Sequence, residues 1–182
     1  MENKNTYIAL LRGINVSGQK LIKIEELQKL FEALKFESVR TYIQSGNVIF
    51  KSDIKEPAKI IGLIEKKIKD KFSFDVTVII RNTDELGKII KNNPFVKTKP
   101  IDKLYTAFLS GTFDKSKSEL LEKYKSKTEE YKINNTEVYL YYPDGAGRTK
   151  LTNNIIESKL GVKATSRNWN TVNKLYELSL NT

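Results

Sequence analysis

The chain has 182 residues, of which 39% are hydrophobic and 10% aromatic, which is enough for a globular core in one large domain or two small ones. It contains no Cys and no His, which excludes disulfides, thiol nucleophiles, His general bases and the usual zinc ligand sets. The net charge is +10 and is spread evenly along the chain, so it either attracts an anionic partner or reflects a general preference for Lys, which outnumbers Arg 27 to 5.

The sequence indicates a cytoplasmic protein without a membrane partner. No apolar run approaches the length of a membrane-spanning helix. The first residues, Met1 to Lys4, are polar and lead directly into a predicted strand, which is not the pattern of a secretory signal peptide. No carboxylate cluster that would hold a hard metal ion is visible, and no cofactor is predicted.

The first half of the chain has the periodicities of an α+β domain. An apolar run predicts a buried strand, helical spacing of apolar residues predicts helices, and alternation predicts a hairpin. The predicted order is strand 6–12, helix 24–34, strands 38–44 and 48–50, helix 57–72, strand 76–80 and helix 83–92. The order strand, helix, strand, strand, helix, strand is that of a ferredoxin-like (βαββαβ) subdomain.

The second half repeats this order and predicts an internal duplication. Its predicted elements are strand 104–110, a helix around 120–124, strands 131–134 and 138–142, helix 151–160, strand 162–166 and helix 169–179. We therefore predict two tandem ferredoxin-like subdomains, residues 1–92 and 102–182, joined by a linker over residues 93–101.

The stretch Arg12–Gly18 follows the first predicted strand and is the strongest candidate for a binding loop. Its glycines let backbone N–H groups approach a ligand, Asn15 and Ser17 add donors, and Arg12 adds a planar fork suited to phosphate or carboxylate. The alternative is a loop whose Asn and Ser satisfy its own backbone. The glycine spacing is not that of a dinucleotide fingerprint.

Three later stretches carry related residues. Gln44, Ser45 and Asn47 lie at a predicted hairpin tip, which turn chemistry alone also explains. Residues 145–150 are predicted to open a helix, where free N–H groups with Arg148 and Lys150 would form an anion site; otherwise Thr149 is an ordinary N-cap. Residues 167–170 contain the only Trp, which is either a stacking surface or a core residue preceded by a helix cap at Asn168.

Two of the five Arg residues have a simpler expected role. Arg81, and to a lesser extent Arg40, are expected to pair with a carboxylate or to bind a carbonyl.

These stretches predict binding of a small anionic ligand, bearing phosphate or carboxylate, in a polar cleft between the subdomains. Two alternatives stay open: a nucleic-acid-binding module that uses Tyr42 and Trp169, and an enzyme acting on a phosphorylated substrate without His or Cys. No acidic residue lies inside the motifs, which argues against catalysis, and no catalytic residue is assigned. The candidate ligand-binding residues are Arg12, Gly13, Asn15, Ser17, Gln44, Ser45, Asn47, Arg148, Thr149, Lys150, Arg167, Asn168, Trp169 and Asn170.

Three of these stretches resemble the signature motifs of the family known as domain of unknown function 1697. They are Arg12–Gly18, Thr41–Val48 and Arg167–Val172 followed by Lys174 and Leu175. The sequence departs mildly from the family pattern at Ser17, where Gly is frequent, and at Thr149, where Ser is common. The resemblance implies a duplicated ferredoxin-like α+β fold, and it implies no established activity, cofactor or catalytic residue.

Overall fold

A computed structural model describes residues 4–182 of the chain, as an α+β fold. The first three residues, which belong to the segment used to argue against a signal peptide, lie outside the described residues. The strands are β1 (Asn5–Leu11), β2 (Glu37–Tyr42), β3 (Asn47–Ser52), β4 (Val78–Asn82), β5 (Leu104–Leu109), β6 (Glu130–Asn134), β7 (Glu137–Tyr141) and β8 (Ala164–Asn168). The α-helices are α1 (Ile24–Ala33), α2 (Pro57–Phe72), α3 (Thr83–Lys91), α4 (Asn153–Leu160) and α5 (Trp169–Leu180). Two 3₁₀ helices cover Ile101–Lys103 and Lys115–Tyr124.

The main difference from the predicted elements lies in the second half. The helix predicted around residues 120–124 is a ten-residue 3₁₀ helix that begins at Lys115. Serine side chains in its first turn compete for backbone groups: the Ser118 hydroxyl donates to the Lys115 carbonyl at 2.7 Å. Such local bonds favour tighter turns over an α-helix, which explains why no regular α-helix forms there.

The chain divides into two compact units. The first contains the described residues up to Gly87 together with Lys174–Thr182, and the second contains Lys88–Asn173. Helix α3 therefore crosses the boundary, and the end of α5 belongs to the first unit.

Each unit is built on one four-stranded antiparallel sheet. The strand order is β2-β3-β1-β4 in the first unit and β6-β7-β5-β8 in the second. The central strands pair in the same way: Ala9 lies between Val48 and Ile80, and Ala107 lies between Val138 and Ser166. Both sheets thus place their first strand in an interior position, flanked by the third and fourth strands of the unit.

Hydrogen bonds at the strand ends recur at corresponding places in the two sheets. At the end of the first strand, backbone N–H groups bond once to the hairpin tip and once to the residue before the last strand. The pairs are Leu11 to Gly46 (2.8 Å) and Arg12 to Thr77 (2.9 Å) in the first unit, and Leu109 to Thr136 (2.8 Å) and Ser110 to Lys163 (2.9 Å) in the second. The loop that begins at Gly13 therefore corresponds in position to the loop that begins at Gly111.

A helix-to-strand hydrogen bond also recurs. Glu65 on α2 accepts from the Val78 N–H at 2.8 Å, and Glu157 on α4 accepts from the Ala164 N–H at the same distance. In both units a carboxylate of the second helix thus fixes the start of the last strand.

Helices cover one face of each sheet with an apolar core. In the first unit, Ile60, Ile64 and Ile68 of α2 pack with β1 and β3 side chains such as Phe50. In the second, Leu121 and Ile156 pack against β5 and β7. The opposite faces are buried as well, as Ile8 and Phe108 show. A strand that is buried on both faces has a continuous apolar sequence instead of an alternating one.

Burial in the second unit raises the pKa of two tyrosines. The Tyr139 hydroxyl donates to the Ile89 carbonyl at 3.0 Å, and the pKa of Tyr139 is raised to about 12 by desolvation. The Tyr142 hydroxyl donates to the Leu151 carbonyl at 2.6 Å, and burial raises the pKa of Tyr142 still further. In each case the folded protein favours the neutral phenol.

We expect these two phenols to ionise late in an alkaline titration of the native protein. A raised folded pKa contributes stability that is complete below the unfolded pKa of about 10 and is lost as pH rises through the folded value. Absorbance at 295 nm between pH 9 and 13 should show a late step that disappears in Tyr139→Phe together with Tyr142→Phe. A single transition near pH 10 in the native protein would contradict this assignment.

Among residues 4–182, no helix is both long enough and apolar enough to cross a membrane.

Candidate functional site

The loop after β1 is a small, tightly closed hairpin. The Gln19 N–H donates to the Val16 carbonyl at 2.9 Å, and the Asn15 N–H donates to the Lys20 carbonyl at 3.2 Å. The two residues at the turn, Ser17 and Gly18, have φ of 50° and 75°. Positive φ at both central residues is typical of a type I′ turn, so the glycine is needed for the turn geometry itself. Ser17 lies exposed at its tip.

The Asn15 side chain holds this loop to the neighbouring hairpin. Its Nδ2 donates to the Ile22 carbonyl at 3.0 Å and to the Gln44 carbonyl at 2.9 Å, while its Oδ1 accepts from the Ile22 N–H at 2.8 Å. Both amide hydrogens and the oxygen are therefore engaged with backbone groups. This arrangement corresponds to the alternative in which Asn15 satisfies the loop's own backbone.

The β2–β3 hairpin tip is also held by its own side chains. Asn47 is fully buried, and its Nδ2 donates to the Tyr42 carbonyl at 2.9 Å and to the Ser45 hydroxyl at 3.1 Å. Gln44 is exposed, whereas Ser45 is half-buried. Among the three candidate side chains of this tip, only that of Gln44 is exposed.

The surface around these two loops is cationic. The segments 12–23 and 39–50, which Asn15 joins, contain four cations and no Asp or Glu: Arg12, Lys20, Lys23 and Arg40. The Lys20 ammonium donates to the Asp75 carbonyl at 2.6 Å. The Asp75 carboxylate itself pairs with Lys69 at 2.8 Å, which raises the pKa of Lys69 through the hydrogen bond and the charge of Asp75.

In the second unit, residues 145–150 do not open a helix. Helix α4 begins at Asn153, and its N-cap is Thr152, whose Oγ1 accepts from the Ile155 N–H at 3.4 Å. The stretch from 145 to 150 forms turns, with the Thr149 Oγ1 accepting from the Leu151 N–H at 2.9 Å. The helix predicted over residues 151–160 thus begins two residues later than predicted, and residues 145–150 are separated from it by Leu151, which is buried and accepts the Tyr142 hydroxyl. Arg148 and Lys150 lie exposed on this loop.

The Arg167–Asn170 stretch links β8 to α5. The Arg167 guanidinium is 7% exposed and donates to the Thr165 hydroxyl and the Ser166 carbonyl, both at 2.9 Å. Desolvation lowers the pKa of Arg167 to about 10, which leaves it protonated at neutral pH. Asn168 caps α5 by accepting from the Thr171 N–H at 2.7 Å, as the cap alternative predicted.

The only Trp is a core residue. Trp169 is 3% exposed, so its ring offers no open face on which a base would stack. This removes one of the two aromatic residues on which the nucleic-acid hypothesis depended. Asn170 beside it is exposed.

One correspondence between the two units was not predicted from the sequence. Arg81 and Asn82 end β4 as Arg167 and Asn168 end β8. The Arg81 guanidinium donates to the Ile80 carbonyl at 2.8 Å, the carbonyl contact expected of Arg81. Asn82 and Glu85 exchange two 2.8 Å hydrogen bonds at the start of α3. The repeated Arg-Asn dipeptide, which ends both strands, was the signal that would have revealed this correspondence.

The family model described as protein of unknown function (DUF1697) matches residues 4–139, which is most of the chain. The chain belongs to the DUF1697 family. A search of curated proteins found no match. Among solved structures, the conserved bacterial protein SP0830 from Streptococcus pneumoniae is similar, with 20% identity, a TM-score of 0.79, and coverage of 97% of this chain and 99% of that one. At this identity the likeness shows the fold.

The family match includes the loop after β1 and the β2–β3 hairpin tip, but not the Arg167–Val172 stretch. Within residues 4–182 of this DUF1697 chain, no three Asp or Glu side chains gather into a group that would hold a metal ion. Two surface cavities have linings that contain none of the candidate ligand-binding residues. One, of about 220 Å³, lies beside Phe36 and Asp53 in the first unit; the other, of about 250 Å³, lies beside Phe113 and Asn134 in the second.

Proposed function

We propose that this protein binds a small anionic ligand, bearing phosphate or carboxylate, on the surface formed by segments 12–23 and 39–50. The observation that carries the proposal is that two segments joined by the Asn15 carboxamide contain four cations and no Asp or Glu. A surface rich in cations has a positive potential that attracts an external anion.

The proposed contacts follow from what each side chain already does. Arg12 is half-buried beside the exposed Gly13, and a planar guanidinium suits bidentate contact with phosphate or carboxylate. Ser17 and Gln44 are exposed and add hydroxyl and amide groups. Asn15 and Asn47 act by fixing the two loops, since their amides bond to backbone carbonyls. Fixed loops lower the ordering cost of binding.

We also propose that the fold is a tandem pair of ferredoxin-like subdomains that arose by duplication. The shared strand order, the recurring bonds at the ends of β1 and β5, and the two helix-to-strand carboxylates support it. The first unit has the full helix order, while the second has a 3₁₀ helix in place of the first α-helix.

A thermal-shift screen of inorganic phosphate, citrate and nucleoside phosphates tests the binding proposal. A ligand present at a hundred times its Kd should stabilise the native state by about 2.7 kcal/mol. We expect Arg12→Gln to remove most of this stabilisation, since it deletes the fork but keeps much of the volume, and Arg12→Lys to restore only part of it.

The matched control is Lys29→Gln, which removes one positive charge from the exposed face of α1 in the same unit. Equal losses in Arg12→Gln and Lys29→Gln would mean that only the net charge matters, and the proposed site would be wrong. Binding of short oligonucleotides with a steep dependence of affinity on salt, and no response to the small anions, would favour the nucleic-acid alternative.

A further inference from the structure

The second unit contains a surface cavity of about 250 Å³ that no candidate residue lines. Its walls are the loop after β5, the first turn of the 3₁₀ helix and the tip of the β6–β7 hairpin. The residues concerned are Thr112, Phe113, Lys115, Ser118, Ile133 and Asn134. Phe113 and Ile133 are half-buried and pack against the core of the unit, so the cavity has an apolar floor.

The cavity occupies the place that the first unit fills with its own loop. Gly13 and Gly111 begin corresponding loops, because the residues before them make the same hydrogen bonds to the hairpin tip and to the residue before the last strand. In the first unit, Ile14 is buried at 1% exposure and Asn15 bonds across to the hairpin carbonyl of Gln44.

In the second unit the corresponding loop is shorter. Only Gly111, Thr112, Phe113 and Asp114 separate Ser110 from the 3₁₀ helix. Asp114 turns to the helix, where its Oδ1 accepts from the Ser116 N–H at 3.0 Å, and hydrogen bonding to the Ser116 side chain and backbone lowers the pKa of Asp114. No hydrogen bond of residues 111–114 corresponds to the one from the Asn15 side chain to the Gln44 carbonyl at the hairpin tip of the first unit.

The lining chemistry specifies an amphipathic anion. Lys115 is the only charged residue of the lining, and no carboxylate of the described residues lies within ion-pair distance of its ammonium. The Ser118 hydroxyl is engaged with the Lys115 carbonyl at 2.7 Å, which leaves the exposed Thr112 hydroxyl as a donor near the opening. Phe113 and Ile133 supply the apolar part of the lining.

The volume limits the size of the ligand. A water molecule takes up about 30 Å³, so the cavity has room for about eight waters, or a ligand of roughly ten non-hydrogen atoms. That is slightly below the range of about 300–1,000 Å³ typical of drug-sized ligand pockets.

We propose that this cavity binds a small carboxylate with a ring-sized or branched apolar body, with the carboxylate against Lys115 and the body against Phe113 and Ile133. This site is separate from the anion-binding surface proposed for the first unit, and it uses none of the same residues.

Benzoate, which has a carboxylate on a ring of fitting size, is the probe. The full-length, ¹⁵N-labelled protein is titrated with sodium benzoate, and in parallel with acetate, which lacks the body, and with benzyl alcohol, which lacks the charge. We expect saturable amide shifts at residues 112–118 and 133–135 with benzoate, and at least several-fold weaker responses with the other two compounds.

Two variants and one control locate the contacts. Lys115→Gln should weaken benzoate binding by about two- to fivefold, the effect of losing one exposed ion pair. Thr112→Trp, at an exposed loop position, should fill the cavity and abolish the shifts while leaving the remaining spectrum unchanged. Lys117→Gln removes the same charge from an exposed residue that does not line the cavity, and should leave the affinity unchanged.

Four results would each overturn the proposal, and the first three concern the location and strength of binding. They are the lack of any saturable shift with benzoate, shifts that map to residues 13–20 instead of the cavity, and equal weakening by Lys115→Gln and Lys117→Gln. Equal binding of benzyl alcohol and benzoate would also overturn it, because the anionic group would then play no part.

Discussion

Replacing Gly46 with Ala should destabilise the first unit by about 2 to 5 kcal/mol. Gly46 has φ of +79°, a conformation that costs an L-residue about 1–2 kcal/mol. An added Cβ would lie 2.8 Å from the Ile14 side chain and 2.8 Å from the Leu11 Cβ. Both neighbours are buried at 1% exposure or less, so relief requires movement of the core, which costs about 1–3 kcal/mol more.

Gly13→Ala separates these two effects. Gly13 also has a positive φ, +68°, but nothing lies within 4 Å of an added Cβ. We expect this control to lose only the conformational part, about 1–2 kcal/mol. Native-state hydrogen exchange of β1 and β3 amides measures the loss within the first unit, without assuming that the whole chain unfolds in one step. Equal losses in the two variants would show that the contacts of Gly46 with Leu11 and Ile14 do not matter.

Strongly periodic elements were predictable from the sequence, and α2 is the clearest example. It spans Pro57–Phe72, as predicted, because Pro57 fixes its first turn and apolar residues recur at helical spacing at Ile60, Ile64 and Ile68. The start of α4 was not predictable in the same way. Thr149 and Thr152 offer the same capping chemistry three residues apart, and only the burial of Leu151 decides between them.

The loops that carry the candidate residues were predictable from the sequence, but the roles of the individual side chains were not. An Asn in a loop has the same donors and acceptors whether it bonds to a ligand or to its own backbone, so the sequence left both uses of Asn15 open. Arg167 and Trp169 have side chains common at binding sites, yet both are buried. The second-unit cavity was invisible in the sequence because it depends on what the short loop after β5 leaves unfilled.

Asn15→Ala should cost the first unit about 2 to 4 kcal/mol. The substitution removes three hydrogen bonds, of 2.8, 2.9 and 3.0 Å, each with a net contribution of about 1 kcal/mol. It leaves the Gln44 carbonyl and both backbone groups of Ile22 without this partner, and Ile22 is buried at 3% exposure. Loss of amide protection at the loop and at the hairpin tip together is the expected readout.

Asn135→Ala is the matched control, because Asn135 is exposed at the second-unit hairpin tip with φ of 53°, against 54° for Asn15. Both variants place Ala in the left-handed region, so the difference between their losses measures the side-chain hydrogen bonds alone. If the two losses are equal, Asn15 does not hold the loops together.

Asn15→Asp tests the direction of these hydrogen bonds. It keeps an acceptor for the Ile22 N–H, but its carboxylate would face the carbonyls of Ile22 and Gln44, which offer no proton. The ionised form is then disfavoured in the folded state, so the folded pKa should lie above the unfolded value of about 3.9. The destabilisation should therefore be complete at pH 7 and be relieved as pH falls through the folded pKa, whereas the loss in Asn15→Ala should not depend on pH in this range.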